Sequence, residues 1–92
     1  MFNENYATGT RVRLNYVEDE DVVFSVFSAN RREGNSFRML RGGEAVPGNA
    51  AIYYVLDDGA GHAMTQTVHP HREIIIHRHV MYFPENLLDS VE

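Results

Sequence analysis

Short runs of alternating apolar and polar positions, separated by turn residues, make up most of this chain. Arg11-Val12-Arg13-Leu14-Asn15-Tyr16-Val17 places Val12, Leu14 and Tyr16 on one face, as a half-buried strand does. Glu18, Asp19, Glu20 and Asp21 then break the pattern. Four carboxylates in a row form a solvated turn, or a patch for a basic partner. Residues 22–33 fit two structures. As a helix, they have acids at the N-terminus, Arg31 and Arg32 near the C-terminus and Gly34 at the stop. As a strand, Val22, Phe24 and Val26 share one face and Val23 and Phe27 the other. The β-branched and aromatic composition favours the strand, and residues 36–41 supply its return. Either way, residues 30–35 are exposed.

Further along, residues 41–49 carry three glycines and a proline and read as a loop. Ala51-Ile52-Tyr53-Tyr54-Val55-Leu56 is an apolar run bounded by turn residues, the expected central strand. Asp57-Asp58-Gly59-Ala60-Gly61 predicts a hairpin turn. Residues 62–69 are expected to return as an edge strand interrupted by Pro70, and residues 73–80 to form another strand. Phe83-Pro84-Glu85 opens a C-terminal turn or helix over 85–91, with Leu87, Leu88 and Val91 covering the sheet. The first nine residues read as a loop. The expected fold is therefore mainly β with a little helix (α+β). It is a single domain over 1–92: an antiparallel curled sheet or small barrel of about five strands, with a short C-terminal helix.

Composition narrows the classes. At 92 residues the chain holds one core. It has no apolar run of 18 residues, so no membrane-spanning helix is expected, and no basic-then-apolar leader opens it. Without cysteine, neither a disulfide nor a thiolate metal site can form. The net charge is −5, and all eight bases are arginine. Arginine favours planar, bidentate contacts with phosphate or carboxylate. Yet an acidic chain is a poor general binder of nucleic acid, because duplex binding runs on phosphate neutralisation. Any such contact must be local.

Catalytic signatures are missing. No serine lies in a Gly-x-Ser-x-Gly elbow, and Gly42-Gly43 lacks the Lys and Ser/Thr of a phosphate loop. Asp57 and Asp58 are accounted for by turn chemistry. His69-x-His71 and His77-x-His79 are i, i+2 pairs that would share a strand face and could ligate zinc. Pro70, Arg72 and Arg78 count against that site, and polar surface histidines are the plainer reading. No enzyme, metal or cofactor is expected. The arginine-bearing tip stands out: Asn30, Arg31, Arg32, Asn35, Ser36 and Arg38 combine charge with groups that bond phosphates or base edges. The bland alternative is a solvated loop whose arginines pair with the acids at 18–21. Phe37 either stacks on a base or fills the core.

Two resemblances bear on function. Thr8-Gly9-Thr10-Arg11-Val12-Arg13-Leu14 and the later Tyr54-Val55-Leu56-Asp57-Asp58-Gly59 resemble small Tudor-like barrels, which bind peptides or nucleic acid. Over its whole length the chain is similar to phage-encoded anti-CRISPR proteins of the type I-F inhibitor group. That likeness rests on Ser28-Ala29-Asn30-Arg31-Arg32-Glu33-Gly34-Asn35-Ser36-Phe37-Arg38 with the length and acidity. It implies an inhibitor in the host cytoplasm. Its partner would be the type I-F (Csy) surveillance complex, through the Cas subunits and guide RNA, and it would block target DNA hybridisation. No membrane or small-molecule substrate is implied. Asn30, Arg31, Arg32, Asn35, Ser36 and Arg38 would be the contacts.

Overall fold

An eleven-residue strand, β3 (Val23–Glu33), runs through the middle of the main sheet and pairs with three other strands. The computed structural model describes residues 2–3 and 5–91, with side chains from residue 5 onward. Before β3 come β1 (Phe2–Asn3) and β2 (Arg11–Leu14), and after it β4 (Ser36–Met39), β5 (Val46–Pro47) and β6 (Ile52–Leu56). β7 (Ile75–His77), β8 (Val80–Pro84) and β9 (Leu88–Ser90) complete the set. The main sheet has the order β7-β8-β6-β3-β2-β9, all antiparallel, with β4 also on β3. β1 and β5 form a separate two-stranded ribbon. This is a small, single-domain, mainly-β protein. No pairing joins β9 to β7 among the described residues, so the sheet is open.

The strand at 22–33 resolves the first ambiguity: valine and phenylalanine side chains pack better on a pleated surface than in a helix. β2 takes the first part of β3's one edge (Val12↔Phe24) and β4 the second (Arg32↔Phe37), while β6 lies along the other edge. The turn from β3 to β4 needs only Gly34 and Asn35. Gly34 has φ +64°, which places a positive-φ residue first in the turn as a type II′ hairpin requires.

One irregularity governs the rest. Val26 pairs with Leu56 but Ser28 with Val55, so Phe27 is an extra residue. This bulge resets the alternation. Val26 and Ala29, three apart, both join the core, together with Val12, Leu14, Tyr54, Leu56, Phe83 and Leu88. The side chains beyond the bulge therefore sit on the faces opposite to those an unbroken period of two assigns.

Four expectations need correction. The C-terminal helix is a single 3-10 turn, Glu85–Leu87, after which the chain extends into β9 on β2. Leu87 and Leu88 are buried as expected, but Val91, past the end of β9, is exposed and does not cover the sheet. Residues 62–69 form no strand: one isolated bridge, Asp57↔Ala63, follows the turn, and the chain then loops across to β7. The strand at 73–80 is instead a hairpin of β7 and β8, broken at Arg78 and His79 with φ of 52° and 68°. The opening residues contribute β1, which pairs with β5 inside the expected loop 41–49.

Candidate nucleic-acid and partner interface

The tip splits its arginines between two faces. Arg31 lies directly across from Arg38, and two like charges so placed repel. Glu33 relieves this: its Oε2 is 3.8 Å from Arg31 Nε and 3.7 Å from Arg38 Nε. Arg38 also reaches Glu44 at 3.0 Å, and the other Glu44 oxygen accepts the Arg41 N–H at 3.0 Å. The bond from the Arg41 backbone, then that from the Arg38 side chain, holds the Glu44 carboxyl below its ordinary pKa. The acids at 18–21 take no part: among the described residues the tip arginines pair with Glu33 and Glu44.

Arg32 points the other way. Its guanidinium sits over the Tyr53 ring, 5.9 Å from the centroid, in cation–π range. Nη1 donates to the Tyr53 hydroxyl at 3.4 Å and Nε to the Gly34 carbonyl at 3.1 Å. Beside it is a cluster of rings. Phe37 stacks on Tyr82 with centroids 3.9 Å apart and planes 8° apart, and meets Tyr53 and His77 edge-on at 5.4 and 5.6 Å. The sheet is curled enough for β4 to touch β8 across β3 and β6. Phe37 thus belongs to a second, small aromatic cluster, with one of its faces already covered by Tyr82.

The remaining tip residues are placed unequally. Asn30 is 4% exposed and donates to the Ser28 carbonyl and hydroxyl at 3.3 and 3.2 Å. It lies between Met39 and Tyr53 in the sheet, buried where no ligand can reach it. Ser36 is exposed, and its hydroxyl donates to the Glu33 carbonyl at 3.0 Å, closing the turn. Asn35 is exposed at the apex. Of the six sequence candidates, Arg32, Asn35, Ser36 and Arg38 are exposed, Arg31 is half-buried and Asn30 is internal. Sequence reasoning passed over Tyr53 and Tyr82. An alternating pattern puts them in strands but does not show that their strands curl together.

The histidines do not converge. His71 packs on the Tyr16 ring and its Nδ1 accepts the Glu73 N–H at 3.1 Å, while His77 joins the Phe37 cluster and His79 forms the β7–β8 turn. Among the described residues no three His, Asp or Glu side chains are grouped to hold a metal. Strand geometry, which the shared-face argument needs, is absent at 69–71 and 79. Asp57 and Asp58 accept four backbone N–H bonds from residues 59–62, so the turn uses both carboxylates. Nor is any helix among the described residues long and apolar enough to cross a membrane.

Comparison with known proteins assigns no family. No family model, no curated protein and no solved structure matches this chain.

Proposed function

We propose that this chain is a non-enzymatic binding protein of the anti-CRISPR kind. It docks on the type I-F guide-RNA surveillance complex in the host cytoplasm and blocks target DNA hybridisation. The observation that carries the reading is Arg32, held on an aromatic surface at the apex of a hairpin that Phe37 pins to the sheet. An anchored arginine loses little freedom on binding, so its contact with phosphate or an unpaired base is not offset by ordering. The acidic body complements the positive channel that such a complex offers to DNA. Blocking requires affinity and bulk where pairing starts, and no chemistry. The test is target-DNA binding by purified surveillance complex at saturating protein. Undiminished binding ends this reading.

A second reading is favoured by the four clustered rings of Phe37, Tyr53, His77 and Tyr82. In it the curled sheet is a partly closed small barrel of the Tudor-like kind, acting as an adaptor for a peptide or free nucleic acid. Binding of naked single-stranded RNA by the isolated protein, without the complex, selects this reading over the first.

A further inference from the structure

The main sheet has three outer strands, β4, β7 and β9, and their free edges offer different things. On β9 the Leu88 N–H is taken by the Glu85 carbonyl, and the Ser90 backbone bonds the Tyr6 hydroxyl. On β7 the two-residue turn makes His77↔Val80 a hydrogen-bonded pair, so the alternation turns Ile76 alone outward. β4 offers more. The Leu40 N–H bonds the Ala29 carbonyl at 2.8 Å, so by alternation Arg31↔Arg38 and Glu33↔Ser36 are the hydrogen-bonded pairs of the hairpin. Phe37 and Met39 fall between them and aim their N–H and C=O groups away from β3. Among the described residues no backbone or side-chain group bonds to these four. Nothing blunts the edge: it has no proline and no bulge, and the Met39 side chain on it is 63% exposed.

Donors and acceptors repeating at every second residue match the backbone of an extended strand and no small ligand. A second copy of this chain is a poor occupant. The antiparallel register that uses both residues, Phe37 opposite Met39 of the other copy, sets the two Arg38 side chains against each other, and like charges so placed repel. A carboxylate in that position is attracted instead, because Arg31, Arg38 and Arg41 gather around only two carboxylates, Glu33 and Glu44. We infer that β4 accepts an extended strand of a partner protein, antiparallel to it, with apolar residues opposite Phe37 and Met39 and an acidic one opposite Arg38. The main-chain bonds supply most of the affinity, and the surface pair with Arg38 chiefly sets the register. The edge works through main-chain groups and stands whether or not Arg32 contacts RNA.

The full ¹⁵N-labelled chain is titrated with the peptide acetyl-Thr-Val-Glu-Val-Thr-amide. In parallel it is titrated with the same peptide N-methylated at both valines, which cannot donate to the edge. Strand addition predicts saturable amide shifts centred on residues 36–39 and slower solvent exchange of the Phe37 and Met39 amides. The methylated peptide, short of two main-chain bonds, should bind roughly tenfold or more weakly. Met39→Pro removes one outward N–H and no bond to β3, and should weaken the response roughly fivefold, its own spectrum reporting that the hairpin is intact. Equal response to the methylated peptide, an unchanged response in folded Met39→Pro, or no localised shifts at millimolar peptide would each overturn the proposal. So would concentration-dependent shifts at 36–39 without peptide, which would give the edge to a second copy.

Discussion

Phe37 on β4 and Tyr82 on β8 stack face to face, although two strands, β3 and β6, lie between theirs in the sheet. The contact turns the β3–β4 hairpin from a projecting arm into a pinned one. Phe37→Ala should therefore lower stability by about 1–3 kcal/mol, less than a fully buried phenylalanine costs because the ring is half-exposed. A double-mutant cycle with Tyr82→Ala, read from urea midpoints, should give a coupling of about 0.5–1.5 kcal/mol. Strict additivity would mean that the rings meet without holding the hairpin.

The β7–β8 turn carries strain that can be removed. Arg78 and His79 both have positive φ, the geometry of a type I′ turn, for which Asn-Gly is the favoured pair. Neither residue takes that conformation readily, at a cost of roughly 1–2 kcal/mol each. Replacing Arg78 by Asn and His79 by Gly together should raise stability by about 1 kcal/mol, glycine's unfolded-state entropy taking back part of the gain. Thermal unfolding checks it, and an unchanged or lower melting temperature refutes it.

Tyr54 joins the amino-terminal segment to the end of β8 through one hydroxyl. Tyr54→Phe leaves the Tyr6 N–H and the Glu85 carboxylate without that partner. A loss of about 1–3 kcal/mol is expected, the range for orphaning partly buried polar groups. Denaturant unfolding at neutral pH measures this, and an unchanged midpoint means that water replaces the hydroxyl.

Acid should loosen the tip. Glu44 and Asp58 have folded pKa values below their ordinary 4.5 and 3.8, in each case chiefly through backbone N–H bonds to the carboxylate. A depressed carboxylate pKa stabilises the fold above the unfolded value, and that contribution is lost as pH falls through the folded one. Stability should therefore fall as pH drops below about 4.5. Glu44→Gln should flatten part of that slope in melts between neutral and acidic pH. An identical slope in the variant would mean that other groups set the acid sensitivity.

Much of the strand pattern was legible in the sequence because the alternation at 11–16, the return at 36–41 and the apolar run at 51–56 all obey local rules. The misses have local causes too. Arg78-His79 turns without the glycine or asparagine that normally marks such a turn. Leu87 and Leu88 are buried by a 3-10 turn and a short strand, and one amphipathic helix would bury them equally well. The tip was legible as a place but not as a surface. The bulge at Phe27 decides that Arg32 faces the rings and Arg31 faces Glu33, and nothing in Val26-Phe27-Ser28 announces it. For the same reason Asn30, polar and next to two arginines, reads as a contact residue yet is buried.

In the proposed function Arg32, anchored on the aromatic face, contacts the partner, while Arg38 is spent on Glu33 and Glu44. The direct measurement is the affinity of the purified type I-F surveillance complex for the wild-type protein, Arg32→Ala and Arg38→Ala. Loss of one base- or phosphate-reading contact is worth about 1–3 kcal/mol, so Arg32→Ala should weaken binding roughly tenfold or more, with Arg38→Ala changing it far less. Wild-type affinity in Arg32→Ala, or no binding of the wild-type protein to the complex, contradicts it.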